Sequence, residues 1–163
     1  PDVYGGFGTS LRFYGVDFSI GFTYQLGGQV LDQGYRFYMN SPAGTSTGNN
    51  YHHDLLNSWT PENSGSNIPR FAYNDSNQAA VSDRFLTSAS YLNIQNITLG
   101  YTLPKRITRK FLVENLRIYL ACDNVWYWSK RQGLDPRQSI NGITNPYYYA
   151  PIRTFSGGVT VTF

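Results

Sequence analysis

Three adjacent residues, His52, His53 and Asp54, carry side chains that can bind a metal ion. Imidazole and carboxylate groups are common ligands of zinc and related metals. The segment Tyr51–Trp59 is expected to form a short helix that Pro61 stops. Adjacent side chains on a helix point about 100° apart and seldom reach one ion together. The sequence therefore predicts solvated loop residues here and no metal site.

Possible nucleophiles and acids are present, but no pattern selects a catalytic set. Asp83, Asp135, Glu62 and several serines are candidates by residue type alone. No nucleophile elbow, with its serine on a turn between a strand and a helix, is predicted. Cys122 is the only cysteine, so neither an intrachain disulfide nor a cysteine metal cluster can form. We expect no enzymatic activity and no cofactor.

The composition is rich in aromatic residues and poor in charge. Charged residues make up 14% of the 163 residues, and aromatic residues reach 17%; soluble domains average about 25% charged residues. The net charge of +3 is small, and its densest cluster, between Lys105 and Lys110, is too short for a nucleic-acid surface. No stretch approaches the roughly 20 apolar residues of a membrane-spanning helix.

Apolar and small polar residues alternate with the period of a β-strand over much of the chain. From Val16 to Gly27, even positions are apolar or aromatic and odd positions are mostly small or polar. We predict five strands, at about 3–14, 16–31, 89–103, 115–128 and 152–163. Their lengths match or exceed the roughly 9–11 residues of a tilted membrane-spanning strand.

The connections between these strands alternate in length. The first and third are short, near Tyr14-Gly15 and over Pro104–Glu114, whereas 32–88 and 129–151 are long. Outer-membrane barrels have short periplasmic turns and longer extracellular loops. The pattern therefore predicts extracellular long loops and a periplasmic Phe163. Five strands do not close a wide barrel, so the chain is expected to be part of a longer one.

Several segments occur in the order and spacing of one known family. They are Asp17–Ile20 with Tyr24–Gly28, Trp59–Asn63, Ile68–Arg70, Ser82–Leu86 with Ser88–Tyr101, Leu116–Tyr119 with Asp123-Asn124, Gly133–Pro136, and Arg153–Phe163. As an ordered set covering most of the chain, they resemble the SusC/RagA-like TonB-dependent outer-membrane transporters. Ser82–Leu86 together with Ser88–Tyr101 is the most specific part of the resemblance.

The resemblance implies an all-β fold, an antiparallel barrel of about 22 strands, to which this chain contributes the C-terminal strands. It also implies an importer of glycans or peptides, energised by the TonB complex through a plug outside this chain. A SusD-like lipoprotein is the implied partner. The implied location is the outer membrane of a Gram-negative bacterium of the Bacteroidetes, with the rest of the barrel and lipid around the strands.

The long loops carry many aromatic residues, which is unusual for a disordered linker. Two interpretations remain open for them, contact with a partner or cargo and packing within the loop. Near the strand ends, Trp126–Trp128 and Tyr147–Tyr149 fit an interfacial aromatic girdle or a sugar-stacking surface. The candidate partner or substrate contacts are Tyr35, Tyr38, Tyr51, Trp59, Arg70, Phe71, Tyr73, Tyr147 and Tyr148.

Strand parity divides the remaining candidates into two faces. The predicted lipid-facing set is Phe18, Ile20, Phe22, Leu99, Tyr101, Leu116, Ile118, Val159 and Val161. The inward parity includes Thr23, Thr98, Gly100, Thr160 and Thr162, with Arg12, Gln25, Arg117 and Asp123 as the lumen-facing residues singled out. The last strand resembles the signal read in barrel assembly, carried by Phe155, Val159, Val161 and Phe163.

Two other functions also fit the pattern. A soluble β-rich carbohydrate-binding module could show the same alternation, because one face of its sheet is buried. A barrel that anchors loops without transporting anything is the other alternative.

Overall fold

A computed structural model of the chain describes residues 1–40, 48, 50–75, 77–131, 133–138, 142–145, 147 and 149–163. It is mostly antiparallel β-sheet, in the order β1 (Val3–Phe13), β2 (Val16–Leu26), β3 (Gln29–Leu31), α1 (Gln33–Tyr38), β4 (Leu86–Ser88), β5 (Tyr91–Thr102), α2 (Lys105–Thr108), β6 (Asn115–Ser129) and β7 (Thr154–Thr162). Short 3-10 helices occur at His53–Asn57, Asp83–Phe85, Arg109–Phe111 and Pro136–Gln138. Within these residues, no helix is long and apolar enough to span a membrane.

The chain forms two compact units. Unit one contains Pro1–Gly28, Ser88–Asp135 and Tyr149–Phe163, and unit two contains Gln29–Thr87 and Pro136–Tyr148. Unit one is built on a five-stranded antiparallel sheet in the order β1-β2-β5-β6-β7. Its strands are between 9 and 15 residues long.

The short connections of the sheet lie at one of its ends. Tyr14 and Gly15, with φ of 48° and 86°, form the β1–β2 turn, a two-residue hairpin of the kind that needs positive φ. At the same end, Thr102 pairs with Arg117, and Asn115 pairs with Thr162. The turn between β5 and β6 and the end of β7 therefore share this end of the sheet.

The predicted strand 16–31 is wrong in its last part. The structure ends β2 at Leu26, and Gln29–Leu31 forms the separate strand β3 that pairs with β4. Gly27 and Gly28 both have positive φ, 78° and 77°, a conformation that side chains other than hydrogen disfavour. Two such residues in succession redirect the chain out of the main sheet.

Unit two contains the core of the long segment that the sequence treats as a loop. Its largest fully buried side chains are Phe85, Met39 and Val30. Asp32 caps α1, because its Oδ1 accepts the backbone N–H of Tyr35 at 2.8 Å. The segment is thus a small folded unit with its own apolar centre.

Candidate functional site

One face of the five-stranded sheet is continuously apolar. In the register, Phe22 pairs with Phe7, Leu99 with Phe18 and Leu120, and Ile118 with Val159. Cross-strand partners project from the same face of an antiparallel sheet. We call this the apolar face; its members are Phe7, Leu11, Phe13, Val16, Phe18, Ile20, Phe22, Tyr24, Leu92, Ile94, Ile97, Leu99, Tyr101, Leu116, Ile118, Leu120, Cys122, Trp126, Trp128, Phe155, Val159 and Val161. All nine residues of the predicted lipid-facing set belong to it.

Many side chains of the apolar face are exposed. Leu120 is 65% exposed and Phe155 is 77% exposed. The rings of Phe7 and Phe22 stack at 4.8 Å, so the face is ordered across neighbouring strands. Soluble monomers seldom expose a contiguous apolar surface of this extent. This face therefore needs an apolar environment or a partner.

The opposite face, the polar face, is lined by small and polar side chains around one ion pair. The Nε and Nη2 atoms of Arg117 donate to the two carboxylate oxygens of Asp17 at 3.0 and 2.5 Å. Gly100 lies between their strands, and a Cβ there would come within 2.5 Å of the Asp17 carboxylate. The glycine therefore leaves the space in which this bidentate pair forms.

Tyr119 lies next to this pair on the polar face. The Arg117 guanidinium is 5.2 Å from the centre of its ring. The ring covers Gly158, where a Cβ would come within 2.7 Å of three ring and hydroxyl atoms. Glycines on two strands thus allow large side chains to lie flat along the polar face.

The four residues predicted to face the lumen all lie on the polar face. Arg12 pairs with Asp17, and Asp123 pairs with Asn96 and Thr154. Gln25 donates from Nε2 to the backbone oxygen of Ala89 at 3.2 Å. Asp17 is not among the predicted lumen-facing residues, although it is a charged residue at an odd, inward-facing position of β2. The structure shows Asp17 to be the carboxylate partner of Arg117.

Three of the candidate aromatic contacts, Tyr35, Tyr51 and Phe71, make ring contacts within unit two. Tyr35 donates its hydroxyl to Asp54 Oδ2 at 2.9 Å, and its ring contacts His52 and Phe85 edge to face. Tyr51 makes a similar ring contact with Phe71 at 5.7 Å. These side chains therefore stabilise the fold of unit two.

The expectation that His52 and His53 point apart is wrong. His52 is not on the helix; it precedes the 3-10 helix with φ −69° and ψ 139°. The two imidazole rings are 4.6 Å apart, and both approach the Asp54 carboxylate. The three residues offer ligand atoms that lie within 4.8 Å of one another.

The other candidate contacts are exposed, with one outside the described residues. Tyr73 is 67% exposed and Trp59 is 38% exposed. Tyr38, Arg70 and Tyr147 are also exposed, and Tyr148 lies outside the described residues. Gly44–Gly48 has the Gly-x-Ser-x-Gly spacing of a nucleophile elbow, and its serine also lies outside the described residues.

Unit two also contains a cleft that the sequence did not reveal. Its volume is about 540 Å³, within the range of small-ligand sites. Arg36 lies in its wall and donates to the backbone oxygen of Ala79 and to Gln33 Oε1 at 2.7 and 2.8 Å. The lining is Gln33, Arg36, Phe37, Asn40, Ala79, Ile143, Thr144, Asn145 and Tyr147. Of these residues, the sequence predicts only Tyr147 as a contact, because the cleft joins segments that are far apart in the sequence.

The strand ends carry the predicted aromatic residues. Trp126 and Trp128 lie on the apolar face opposite Ile94 and Leu92, whereas Tyr127 pairs with Asn93 on the polar face. Arg153 lies 5.8 Å from the centre of the Trp126 ring. On β7, three of the four assembly residues, Phe155, Val159 and Val161, lie on the apolar face, and Phe163 follows the strand.

A sheet with one apolar face and one small, polar face is the arrangement of a β-barrel segment, and comparisons with known proteins agree with that class. No family model matches the chain. TonB-dependent receptor P3 of Formosa agariphila is 26% identical over 173 aligned positions, covering all of this chain and 16% of the relative. TonB-dependent receptor SusC of Bacteroides thetaiotaomicron is 28% identical, covering 99% of this chain and 15% of SusC.

A solved structure agrees with these relatives. A RagAB peptide transporter structure superposes with a TM-score of 0.82 and 25% identity, covering 98% of this chain and 17% of that one. The resemblance to SusC/RagA-like TonB-dependent transporters is therefore confirmed, and the mostly antiparallel sheet matches part of such a barrel. The relatives are named as receptors and transporters, in keeping with the expectation of no catalysis. The chain spans about one sixth of the length of the curated relatives it matches.

Proposed function

We propose that this chain forms part of an outer-membrane β-barrel, with the apolar face toward lipid and the polar face toward the lumen. The continuous apolar face, exposed on strands of membrane-spanning length, is the observation that carries the proposal. A transmembrane barrel alternates apolar outward and polar inward residues along each strand. In this arrangement the Asp17–Arg117 pair stays out of the hydrocarbon, where charges are costly.

The sheet is oriented with its short turns toward the periplasm. The β1–β2 turn, the β5–β6 turn and the end of β7 share one end of the sheet. The long segments 32–88 and 129–151 are then extracellular loops, as is usual for outer-membrane barrels. The edge strands β1 and β7 need hydrogen-bonded neighbouring strands, because unpaired strand edges are not tolerated in lipid. The remainder of a barrel of about 22 strands supplies those neighbours.

The proposed function of the complete protein is TonB-energised import of glycans or peptides, together with a SusD-like surface lipoprotein. Likeness to SusC and to a RagAB peptide transporter over nearly the whole chain supports this proposal. Residues outside this chain supply the plug and the contact with TonB. Within it, the cleft of unit two and the exposed aromatics are the candidate contacts with cargo or lipoprotein. Capture outside and movement through the lumen require no chemistry on the cargo.

Spin labels on the two faces test the membrane placement. With Cys122 replaced by serine, labels at Leu99, Ile118 and Val159 are expected to be accessible to oxygen dissolved in lipid. Labels at Thr98 and Thr160 are expected to be accessible to a water-soluble relaxation agent instead. The physical reason is the alternation of the two faces along each strand. Exchange of the two accessibility patterns, or water access at all five positions, would contradict the barrel and favour a soluble module.

Deleting Phe163 is expected to lower the amount of folded barrel in the outer membrane. The residue follows the apolar face of β7 and is exposed, which fits recognition during assembly rather than packing. The measurement is the folded, heat-modifiable fraction per cell, alongside uptake per folded barrel. A Phe163→Tyr variant, which keeps an aromatic ring, serves as the control and is expected to assemble normally. Normal barrel levels with reduced uptake would place Phe163 in transport instead.

A further inference from the structure

The turn between β5 and β6, residues 103–114, separates its charges from its apolar groups. We call it the basic turn. The spacing of its four cations, at i, i+1, i+4 and i+5, places them along one side of a helical segment. All four are exposed, and none has an ion-pair partner among the residues that the structure describes. They are Lys105, Arg106, Arg109 and Lys110.

The other side of the basic turn is apolar and encloses a small cavity. Ile107 and Phe111 line this cavity, which measures about 200 Å³ together with Leu103, Thr108, Val113 and Leu116. The Thr108 hydroxyl donates to the backbone oxygen of Lys105 within its own helix, so the lining is apolar in character. Phe111 is still 72% exposed. Exposed apolar side chains beside four cations are more favourable at a membrane interface than in water.

The cavity is continuous with the apolar face of the sheet. The backbone N–H of Leu103 donates to the backbone oxygen of Leu116 at 2.9 Å, and Leu116 pairs with Val161 on that face. The acyl chain of a lipid that lies on the apolar face can therefore enter the cavity from the lipid side. The cations lie at the same end of the sheet, where headgroups begin.

We propose that the basic turn binds one phospholipid with an anionic headgroup. The phosphate lies against the four cations, and one acyl chain occupies the cavity beneath Ile107 and Phe111. The inference rests on the proposed function, because it needs the apolar face in lipid. Charge complementarity and the continuity of cavity and apolar face select a lipid over a free phosphate or an acidic protein.

Native mass spectrometry of the full-length protein in detergent tests this site. Phosphatidylglycerol is expected to bind in preference to phosphatidylethanolamine, with one high-affinity lipid per protein. Replacing Lys105 and Arg106 by glutamine is expected to weaken that binding by about 25-fold, at about fivefold per cation near an anionic lipid surface. The matched control removes two cations at the other end of β6, Lys130→Gln with Arg131→Gln, and is expected to retain the preference.

Two further experiments distinguish a bound phospholipid from a bound free phosphate ion. Ile107→Ser keeps all four cations and is expected to weaken long-chain phosphatidylglycerol but not its dihexanoyl analogue. Equal competition by inorganic phosphate would overturn the lipid assignment, as would unchanged binding in the Lys105/Arg106 variant. If the spin labels report lipid around Leu99 while substitutions in the basic turn leave phosphatidylglycerol affinity unchanged, this inference is wrong and the proposed barrel is still supported. If the labels report water, both fail.

Discussion

Replacing Leu99 by arginine is expected to remove most of the folded barrel, whereas arginine at the neighbouring Thr98 is expected to be tolerated. Leu99 is 49% exposed on the apolar face, between Phe18 and Leu120 on the adjacent strands. An arginine near the middle of the lipid-facing surface costs about 2–4 kcal/mol. That is a large part of the roughly 5–15 kcal/mol by which most folds are stable.

Thr98 is a matched control, since it is one residue away on the polar face. Its register partners Ser19 and Ala121 are small, so a long cation there has room and access to lumenal water. The measurement is the folded, heat-modifiable fraction of each variant in isolated outer membranes. Equal loss in both variants would mean that the sheet tolerates no arginine on either side. Loss in Thr98→Arg alone would mean that the two faces are assigned the wrong way round.

The faces of the sheet were predictable because strand parity is a local property of the sequence. Apolar residues at even positions of β2 and odd positions of the second half of β5 place the side chains without knowledge of the pairing. The register of β5 with β6 shifts between Ile94 and Asn96, where a bulge changes the parity. Leu92 and Ile94 therefore join the apolar face at even positions. The change of parity between Ile94 and Ile97 can be seen in the sequence, but the residues that pair across it cannot.

The break after β2 illustrates a second limit. Val30 and Leu31 continue the apolar character of the strand, so the alternation suggested one element to residue 31. The direction of the chain there depends on the two left-handed glycines. Val30 is consequently buried in unit two and not exposed on the apolar face. Sequence periodicity measures which residues are apolar, but it does not say which surface they cover.

The candidate site was only partly predictable because its contacts join distant residues. Arg117 was expected at inward parity, but its pairing with Asp17 needs the register of three strands. The cleft of unit two likewise combines α1 with Ile143, Thr144, Asn145 and Tyr147. His52 was placed on a helix by local reasoning, and its extended conformation at the helix start brings it beside His53 instead. The local sequence pattern therefore predicts the face from which a side chain projects, but not the residues that it contacts.

Replacing both Trp59 and Tyr73 by alanine is expected to weaken association with the proposed SusD-like lipoprotein and to leave unit two folded. Both side chains are exposed, unlike Tyr35, which is anchored by Asp54. Exposed Trp and Tyr side chains are the usual anchors of protein interfaces, and truncating one costs about 2 kcal/mol or more. Each loss of that size weakens binding by roughly 30-fold.

Point substitutions test the loop better than removal of residues 40–80. That deletion would take away Asp54 and the buried Ala79, which hold unit two together, so lost binding would not identify a surface. Leu56→Ala is the matched control, because Leu56 is an exposed apolar residue of the same unit. Tyr35→Phe removes the hydroxyl that donates a hydrogen bond to Asp54. This variant is expected to lower the free energy of unfolding by about 1 kcal/mol without changing the affinity for the lipoprotein.

The affinity is measured with full-length protein in detergent and purified lipoprotein, and uptake is followed in cells. Retained affinity and uptake in the Trp59/Tyr73 variant would mean that these rings do not form the partner surface. Loss of affinity in the Leu56→Ala control as well would mean that the effect spreads through unit two and is not an anchor effect. Loss of uptake with retained affinity would assign the exposed rings to the cargo. The expected combination, weaker association with a normal melting temperature, would identify the extracellular loop as the surface that receives the lipoprotein.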